Sequence, residues 1–408
     1  MFYTNVEIHR GQIAHCYYNN GKKFNTLVPY QPKLAIETHE ETGYKTLYGK
    51  NAKFIELESI SDYNRYKKEY GDALELHNSI SPIYQFISDE YEGNIKFKSE
   101  DMRVFLYDIE TIDETRQHRG FPQPSEVPIP IVSIVIKDLK INTYWVLSLV
   151  DYDSEHKKEK LNGKVIHVKC QSEFHLLKRF AEIVNRSQPD ILIGYNSSGF
   201  DDPYVLHRID KICGEDTLKM LSPFGQVNYE FYKNRDGNIQ CRYNIKGLQV
   251  LDYLTMYKKF ILEGRESFSL SYIAGYELGE DKVDHSEYEN ITDFYIKDPT
   301  EFIFYNIYDV ELIHLLDQKL KLIDLVLYVA YYAKINYEDV ISPIRTWDSI
   351  IYNYLKEHNI VVPPEKHNKK INFPGAYVHD PTPGIYDWVI SYDLTSLYPM
   401  NMIQYNIS

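Results

Sequence analysis

The sequence is short of cysteine and of net positive charge, and each shortage narrows what the chain can do. Its four cysteines, Cys16, Cys170, Cys213 and Cys241, are scattered. They form no C-x-x-C pair that could hold zinc and no dense framework of the kind that staples small secreted domains. A reducing cytoplasm suits such a chain. The start, MFYTNVEIHR, has no basic segment followed by an apolar one, so no signal peptide is visible. Long apolar runs are missing as well. The greasiest stretch, Leu325 to Ala333, is only nine residues, whereas a membrane helix needs about twenty. It is expected to be a core helix, and no membrane partner is expected.

Against 59 Asp and Glu the chain has 45 Lys and Arg, a formal net charge of −14. Affinity for nucleic acid comes mostly from cations that neutralise phosphates, so this balance argues against a stand-alone DNA-binding module. It suits a metal-dependent nuclease, whose site is itself acidic, particularly where another polypeptide brings the basic surface. Apolar content of 43% is enough to build cores without disulfides. A length of 408 residues favours two or three of them. Most of the 38 tyrosines are expected to be half-buried packing residues whose hydroxyls find water or a backbone partner.

Along the chain, the first hundred residues read as a small mixed domain of short strands, with FYTNVEIHR, a break at Asn19, Asn20 and Gly21, then FNTLVPYQPKLAIE. Its His9, His15 and His39 are expected to be surface or satisfied polar groups. From Arg103 the runs Val104–Glu110, Ile129–Ile136 and Thr143–Val150 predict an antiparallel meander. SEFHLLKRFAEIVNRS predicts a helix with Ser172 as N-cap and Phe174, Leu177, Ala181 and Val184 on its apolar face. Asp190–Tyr195 reads as a buried strand, and Pro203 as the first position of another helix. VNYEFYKNRDGNIQCRYNI reads as a hairpin turning at Asp236-Gly237. Helix is expected from Glu301 to about Ala333 and again over SPIRTWDSIIYNYLKEHN. Pro363-Pro364 and EKHNKK mark a linker. SLYPMNMIQYNIS looks like the start of a helix in a domain entered and not completed.

Three groups of acids have spacing that matters chemically. In VFLYDIE, Asp108 and Glu110 are two apart on a strand and leave the same face beside Val104 and Leu106. Such a pair repels itself unless a cation is present, although alternating solvated strands also contain such triplets. In GYNSSGFDDPYVLHRI, Asp201 follows a strand and precedes a helix, where site residues are often presented. Helix capping is the alternative for Asp201 and the preferred reading for Asp202. In EFIFYNIYDVEL, Tyr305 and Asp309 are four apart and share a helix face. An ordinary amphipathic helix would account for that piece alone. Phosphodiester hydrolysis needs an activated water and relief of charge on both oxygens, and two cations about 3.5–4 Å apart supply both. Carboxylates are the ligands Mg²⁺ prefers.

In order, D-x-E, N-x₃-F-D and Y-x₃-D resemble the Exo I, Exo II and Exo III motifs of DEDDy proofreading exonucleases. Beyond them, YQPKLAIE, LYGK, RGFPQPSE, VLDYLTMYKKF, SPIRTWDSIIYNYL, FPGAYV and SYDLTSLYP extend a resemblance to family-B DNA polymerases of the T-even phage type over nearly the whole chain.

The resemblance implies a mixed α/β fold: a ribonuclease H-like exonuclease domain with a mixed sheet flanked by helices, a small α+β N-terminal domain, and an incomplete palm. The implied boundaries are 1–102 with about 323–364, 103–322, and 365–408. Asp108, Glu110, Asp201 and Asp309 would hold two divalent cations, Mg²⁺ or Mn²⁺, with Asp201 acting through water. Tyr305 would orient the nucleophile, and Asn196 and Phe200 would contact substrate. SYDLTSLYP resembles polymerase motif A, carrying Asp393, Leu394, Ser396, Leu397 and Tyr398. There Asp393 would ligate the polymerising metals, Leu397 line the nucleotide pocket, and Tyr398 sit under the incoming sugar. Met400 stands where many relatives have Ser. The hairpin resembles the one that separates frayed primer ends, with a purely structural hairpin as the alternative.

Implied partners are a DNA primer-template, a single-stranded 3′ end, replisome proteins, and a C-terminal polypeptide with the rest of the palm, fingers and thumb. The K-x₃-N-S-x-Y-G and D-T-D-S strings would lie in that polypeptide. The expected setting is the cytoplasm of a phage-infected bacterial host cell. Two other classes stay open. One is a nucleic-acid-binding regulatory fragment without catalysis, separated by metal-dependent turnover. The other is a free-standing exonuclease, separated by partner-independent digestion.

Overall fold

The computed structural model describes residues 1–71, 73–113, 122–234, 237, 239–280, 287–364, 375 and 377–407. The expected turn residue Asp236, the EKHNKK linker, Arg119–Phe121 of RGFPQPSE, and FPGAYV apart from Gly375, Tyr377 and Val378 lie outside the described residues. The chain forms two compact units, Met1–Glu365 and Lys366–Ser408.

The first unit begins with strands β1 (Phe2–His9), β2 (Gln12–Asn19) and β3 (Lys22–Val28), which pair antiparallel in that order. Strands β4 (Leu34–Glu37), β5 (Tyr44–Lys45) and β6 (Asn51–Ile55) form a second small sheet, ordered β4-β6-β5. Helices α1 (Ile60–Tyr70) and α2 (Pro82–Glu90) follow, with N-caps from Ser59 and Ser81. His9 and His15 are buried and satisfied, by Gln226 and by Tyr91, at 2.7 Å each.

The central sheet has six strands: β7 (Val104–Thr111), β8 (Ile131–Asp138), β9 (Thr143–Ser148), β10 (Lys164–Lys169), β11 (Ile191–Gly194) and β14 (Gln249–Asp252), ordered β10-β9-β8-β7-β11-β14. The β7-β8-β9 meander is antiparallel, as the sequence predicts. Strand β10 runs parallel to β9, and β11 runs parallel to both β7 and β14. The hairpin strands are β12 (Val227–Lys233) and β13 (Ile239–Ile245), paired antiparallel.

Strand β7 alternates between two cores. Phe105, Tyr107 and Ile109 pack with helices α3 (Glu173–Ser187) and α4 (Asp201–Cys213). Val104 and Leu106 pack on the other side, with the core of α9 (Pro299–Leu320). Ser172 caps α3 as predicted, but its apolar face needs correcting. Phe174 is 42% exposed, while Leu176 and Phe180 are buried beside Leu177, Ala181 and Val184. The buried stripe centres on the i, i+4, i+8 line of Leu176, Phe180 and Val184, and at about 100° per residue Phe174 falls at its margin.

The remaining helices are α5 (Glu215–Lys219), α6 (Tyr253–Phe260), α7 (Leu270–Leu278), α8 (Ile291–Lys297), α10 (Leu322–Ala333) and α11 (Pro343–Glu357). The continuous helix expected from Glu301 is two, broken where Lys321 takes φ +55 and caps α9. One face of α10 is buried, while Tyr328 and Tyr332 are exposed. The segment after α10 is tied to β1. Tyr3 donates its hydroxyl to the Ile335 carbonyl (2.6 Å), and the Asn336 side chain bonds both backbone groups of Val6 (3.0 and 2.7 Å). Several tyrosines expected to be half-buried are wholly buried, among them Tyr3, Tyr107 and Tyr337. Among the described residues no helix is long and apolar enough to cross a membrane.

In the second unit, helix α12 spans Leu397–Tyr405 behind Ser396, which takes φ +53.

Candidate active site

Parallel neighbours end on the same edge of a sheet, so β7 and β11 deliver their following residues to one place. Asp108 and Glu110 lie on the β7 face that carries Val104 and Leu106 and continue it toward α9. Helix α9 brings Asp309 to meet them. One carboxylate oxygen from each of Asp108, Glu110 and Asp309 lies within 4.8 Å of the others. An all-oxygen donor set of this kind fits a hard divalent cation such as Mg²⁺ or Mn²⁺.

Asp201 does not enter that group of mutual reach. It is 6% exposed, at the first residue of α4, and accepts a hydrogen bond from the Ile109 N–H (3.4 Å). Burial pushes its carboxyl well above the usual carboxylate range, and the negative charges of Asp108 and Asp202 push it further. A cation near these groups would reverse that shift.

Tyr305 is hydrogen-bonded to Asp309, four residues along α9. Its phenol is raised by burial, then by the charges of Asp309, Glu110 and Asp108, which places it in the same acidic field. The hydroxyl is therefore protonated at neutral pH and can direct a water.

The helix containing Asp201 starts two residues before Pro203, not at it. Pro203 fits inside the first turn because its missing N–H would have had no helical partner there. The capping role expected for Asp202 is also corrected. Its side chain is buried and accepts hydrogen bonds from the hydroxyls of Tyr107 and Tyr243, the latter at 2.6 Å. Burial pushes its carboxyl up to about 6 even so. Asp202 thus anchors α4 to β7 and β13 on the side away from the acids.

Sequence reasoning missed the groups that hold this arrangement. Asn306 donates its side-chain N–H to Asp108 Oδ2 (2.6 Å) and accepts from the Ser133 hydroxyl (2.7 Å). Ser133 pairs with Glu110 across the β7-β8 ladder, which places it on the same face. Asp252, at the end of β14, accepts from the backbone N–H of Asn196 (2.9 Å) and from the Ser198 hydroxyl (2.6 Å), and it caps α6 through Leu254 N–H (2.9 Å). An Asp that ends a strand just before a helix is a readable capping signal; its second task, pinning the 196–198 loop, is not.

In that loop Asn196 is exposed with φ +59, and the Phe200 ring lies 4.9 Å from that of Tyr204. Gly194 makes the passage possible. A Cβ there would sit 2.5 Å from Ser197 Cβ and 3.2 Å from the Tyr107 carbonyl. Nearby, a cavity of about 420 Å³ is lined by Ser198, Gly199 and Pro203 and by Phe231, Ile239 and Gln240 of the hairpin.

Asp393, Leu394, Ser396, Leu397 and Tyr398 are exposed in the second unit. Among the described residues no group of three metal-ligating side chains includes Asp393.

Comparison with known proteins gives two family matches. Residues 64–273 match the exonuclease domain of DNA polymerase family B, and residues 345–408 match DNA polymerase family B. The first span holds Asp108, Glu110 and Asp201 and ends before Tyr305 and Asp309, while the second holds Asp393. The chain is 33% identical over 428 residues to the DNA-directed DNA polymerase of Enterobacteria phage T4, and 33% identical over 431 residues to that of Escherichia phage RB69. Each alignment covers 100% of this chain and 47% of the relative, so the chain spans about half the length of these polymerases. DNA polymerase 1 of Sulfolobus acidocaldarius is 25% identical over 422 residues, covering 96% of this chain and 42% of the relative. With more than half of its length matched by the exonuclease-domain model and the rest of its matches in the same family, the chain belongs to DNA polymerase family B.

Proposed function

We propose that the chain is a 3′–5′ exonuclease that hydrolyses the terminal phosphodiester of DNA, with Asp108, Glu110, Asp201 and Asp309 as ligands of two divalent cations, Mg²⁺ or Mn²⁺. The observation that carries this reading is the meeting of Asp108, Glu110 and Asp309, from a strand and a helix about 200 residues apart in sequence, within 4.8 Å. Bound there, the cations would lower the pKa of a coordinated water and offset charge on the departing 3′ oxygen. The residues of the chain do the positioning. Asn306 fixes the Asp108 carboxylate, and the Ile109 N–H fixes Asp201. Tyr305, held by Asp309, directs the attacking water toward phosphorus. No side chain serves as nucleophile.

Asn196, Phe200 and the β12-β13 hairpin guide the frayed 3′ end, and the 420 Å³ cavity between loop and hairpin offers a path for it. The domain assignment that fits is 1–102 with about 323–364, 103–322, and 365–408. Its support is the bonding of Tyr3 and Val6 to Ile335 and Asn336, which ties the two parts of the first domain together. The similarity to phage polymerases supports work in the cytoplasm of an infected bacterial cell.

For synthesis, motif A with Asp393 acts together with a polypeptide carrying the K-x₃-N-S-x-Y-G and D-T-D-S strings, neither of which occurs in the 408 residues. DNA primer-template and other replisome proteins complete the set of partners.

The test is Mg²⁺-dependent trimming of a 5′-labelled single-stranded oligonucleotide. Asp108→Ala combined with Glu110→Ala abolishes trimming while the circular dichroism spectrum is retained. Trimming at the parent rate would rule out this site.

A further inference from the structure

The N-terminal region contains a second meeting of potential ligands that hydrolysis at the β7 edge does not use. Ala35 and His77 exchange both backbone hydrogen bonds, at 2.9 and 2.8 Å, in an isolated antiparallel bridge. Counting outward from that bridge sets Glu37 opposite Glu75, so Glu37, Glu75 and His77 leave the same face. Like charges directly opposite each other on a ladder are destabilising unless a cation lies between them. His77 Nε2 is 3.9 Å from Glu37 Oε1, and one ligand atom from each of the three residues lies within 4.8 Å of the others.

The ring of His77 is the independent observation. Its side chain is only 4% exposed, the ring faces the Glu37 carboxylate at 3.9 Å and the Val362 backbone, and neither ring nitrogen completes a well-formed hydrogen bond with them. Native interiors rarely leave a buried imidazole in that condition without a role. Lys50 Nζ reaches Glu37 Oε2 at 2.7 Å, but its side chain is 63% exposed, so it can swing into water when another cation takes its place.

We propose that Glu37, Glu75 and His77 form a second divalent-metal site, distinct from the acids of β7 and α9 and suited to a borderline transition metal such as Zn²⁺. One imidazole and two carboxylates are a nitrogen-and-oxygen donor set, which favours Zn²⁺ or Co²⁺ over Mg²⁺. Three protein ligands leave a fourth tetrahedral position for water. The bound ion clips β4 to the 75–77 segment across the connection that carries α1.

The test uses the whole chain with Asp108→Ala and Glu110→Ala, so that the outcome does not depend on the nuclease reading. Calorimetric titration with Zn²⁺ gives one saturable equivalent in that background, and Co²⁺ gives a visible absorption band. His77→Gln, and separately Glu75→Gln at an exposed position, weaken Zn²⁺ binding by about tenfold to a hundredfold or more. With EDTA present the melting temperature of Glu75→Gln matches the parent, and Zn²⁺ raises the melting temperature of the parent far more than that of the variant. Absence of saturable Zn²⁺ binding, or binding that survives both substitutions, overturns the proposal.

Discussion

Asn306 stands between the Ser133 hydroxyl and the Asp108 carboxylate, and this double contact makes it a positioning residue. Asn306→Ala removes one hydrogen bond that orients the Asp108 carboxylate and leaves the buried Ser133 hydroxyl without its Asn306 acceptor. Trimming is expected to slow by about 10–100-fold, as for other groups that orient metal ligands. Stability should fall by roughly 1–3 kcal/mol. The check is single-turnover kinetics beside thermal unfolding: a loss of stability at an unchanged rate would contradict the positioning role. At this scale strand period two and the i, i+4 spacing of a helix make Asp108 with Glu110, and Tyr305 with Asp309, legible as face-sharing pairs, while joining those pairs into one site rests on the resemblance to the exonuclease motifs. Asn306 was not legible, since its partner Ser133 is supplied by a neighbouring strand. Asp202 was misread for a similar reason. A local capping preference yielded to two tyrosine hydroxyls from β7 and β13.

At the scale of elements, the connection from β11 to α4 sets where Asp201 stands. Gly194→Ala would force its new methyl against Ser197 Cβ and the Tyr107 carbonyl. The expected result is a destabilisation of about 1–3 kcal/mol by overpacking, with trimming reduced more than oligonucleotide binding because Asp201 moves. A variant with the parent rate would show that the connection has slack. The β7-β8-β9 meander, the β12-β13 hairpin and the Ser172-capped helix could be read from alternation, turn signals and caps. The order β7-β11-β14 could not, because parallel neighbours are joined through long crossovers and their pairing leaves no local mark. The break at Lys321 was hidden for another reason. The apolar pattern runs on through α9 and α10, and a single residue at φ +55 interrupts the helix without proline or glycine.

For the whole molecule, a net charge of −14 sets the conditions under which it can meet DNA. Long-range repulsion between an acidic protein and a polyanion lowers the rate of encounter, and salt screens it. A polypeptide carrying K-x₃-N-S-x-Y-G and D-T-D-S, co-expressed with this chain, is expected to co-purify with it and to gain primer extension that is lost on Asp393→Ala. Extension that persists with Asp393→Ala would remove motif A from the account. The central claim concerns the pocket where β7 meets α9, and anomalous diffraction from crystals soaked in Mn²⁺ addresses it most directly. The account predicts Mn²⁺ density bounded by Asp108, Glu110 and Asp309, and loss of that density in Asp108→Ala with Glu110→Ala. Saturating Mn²⁺ with no density among these three carboxylates would contradict it.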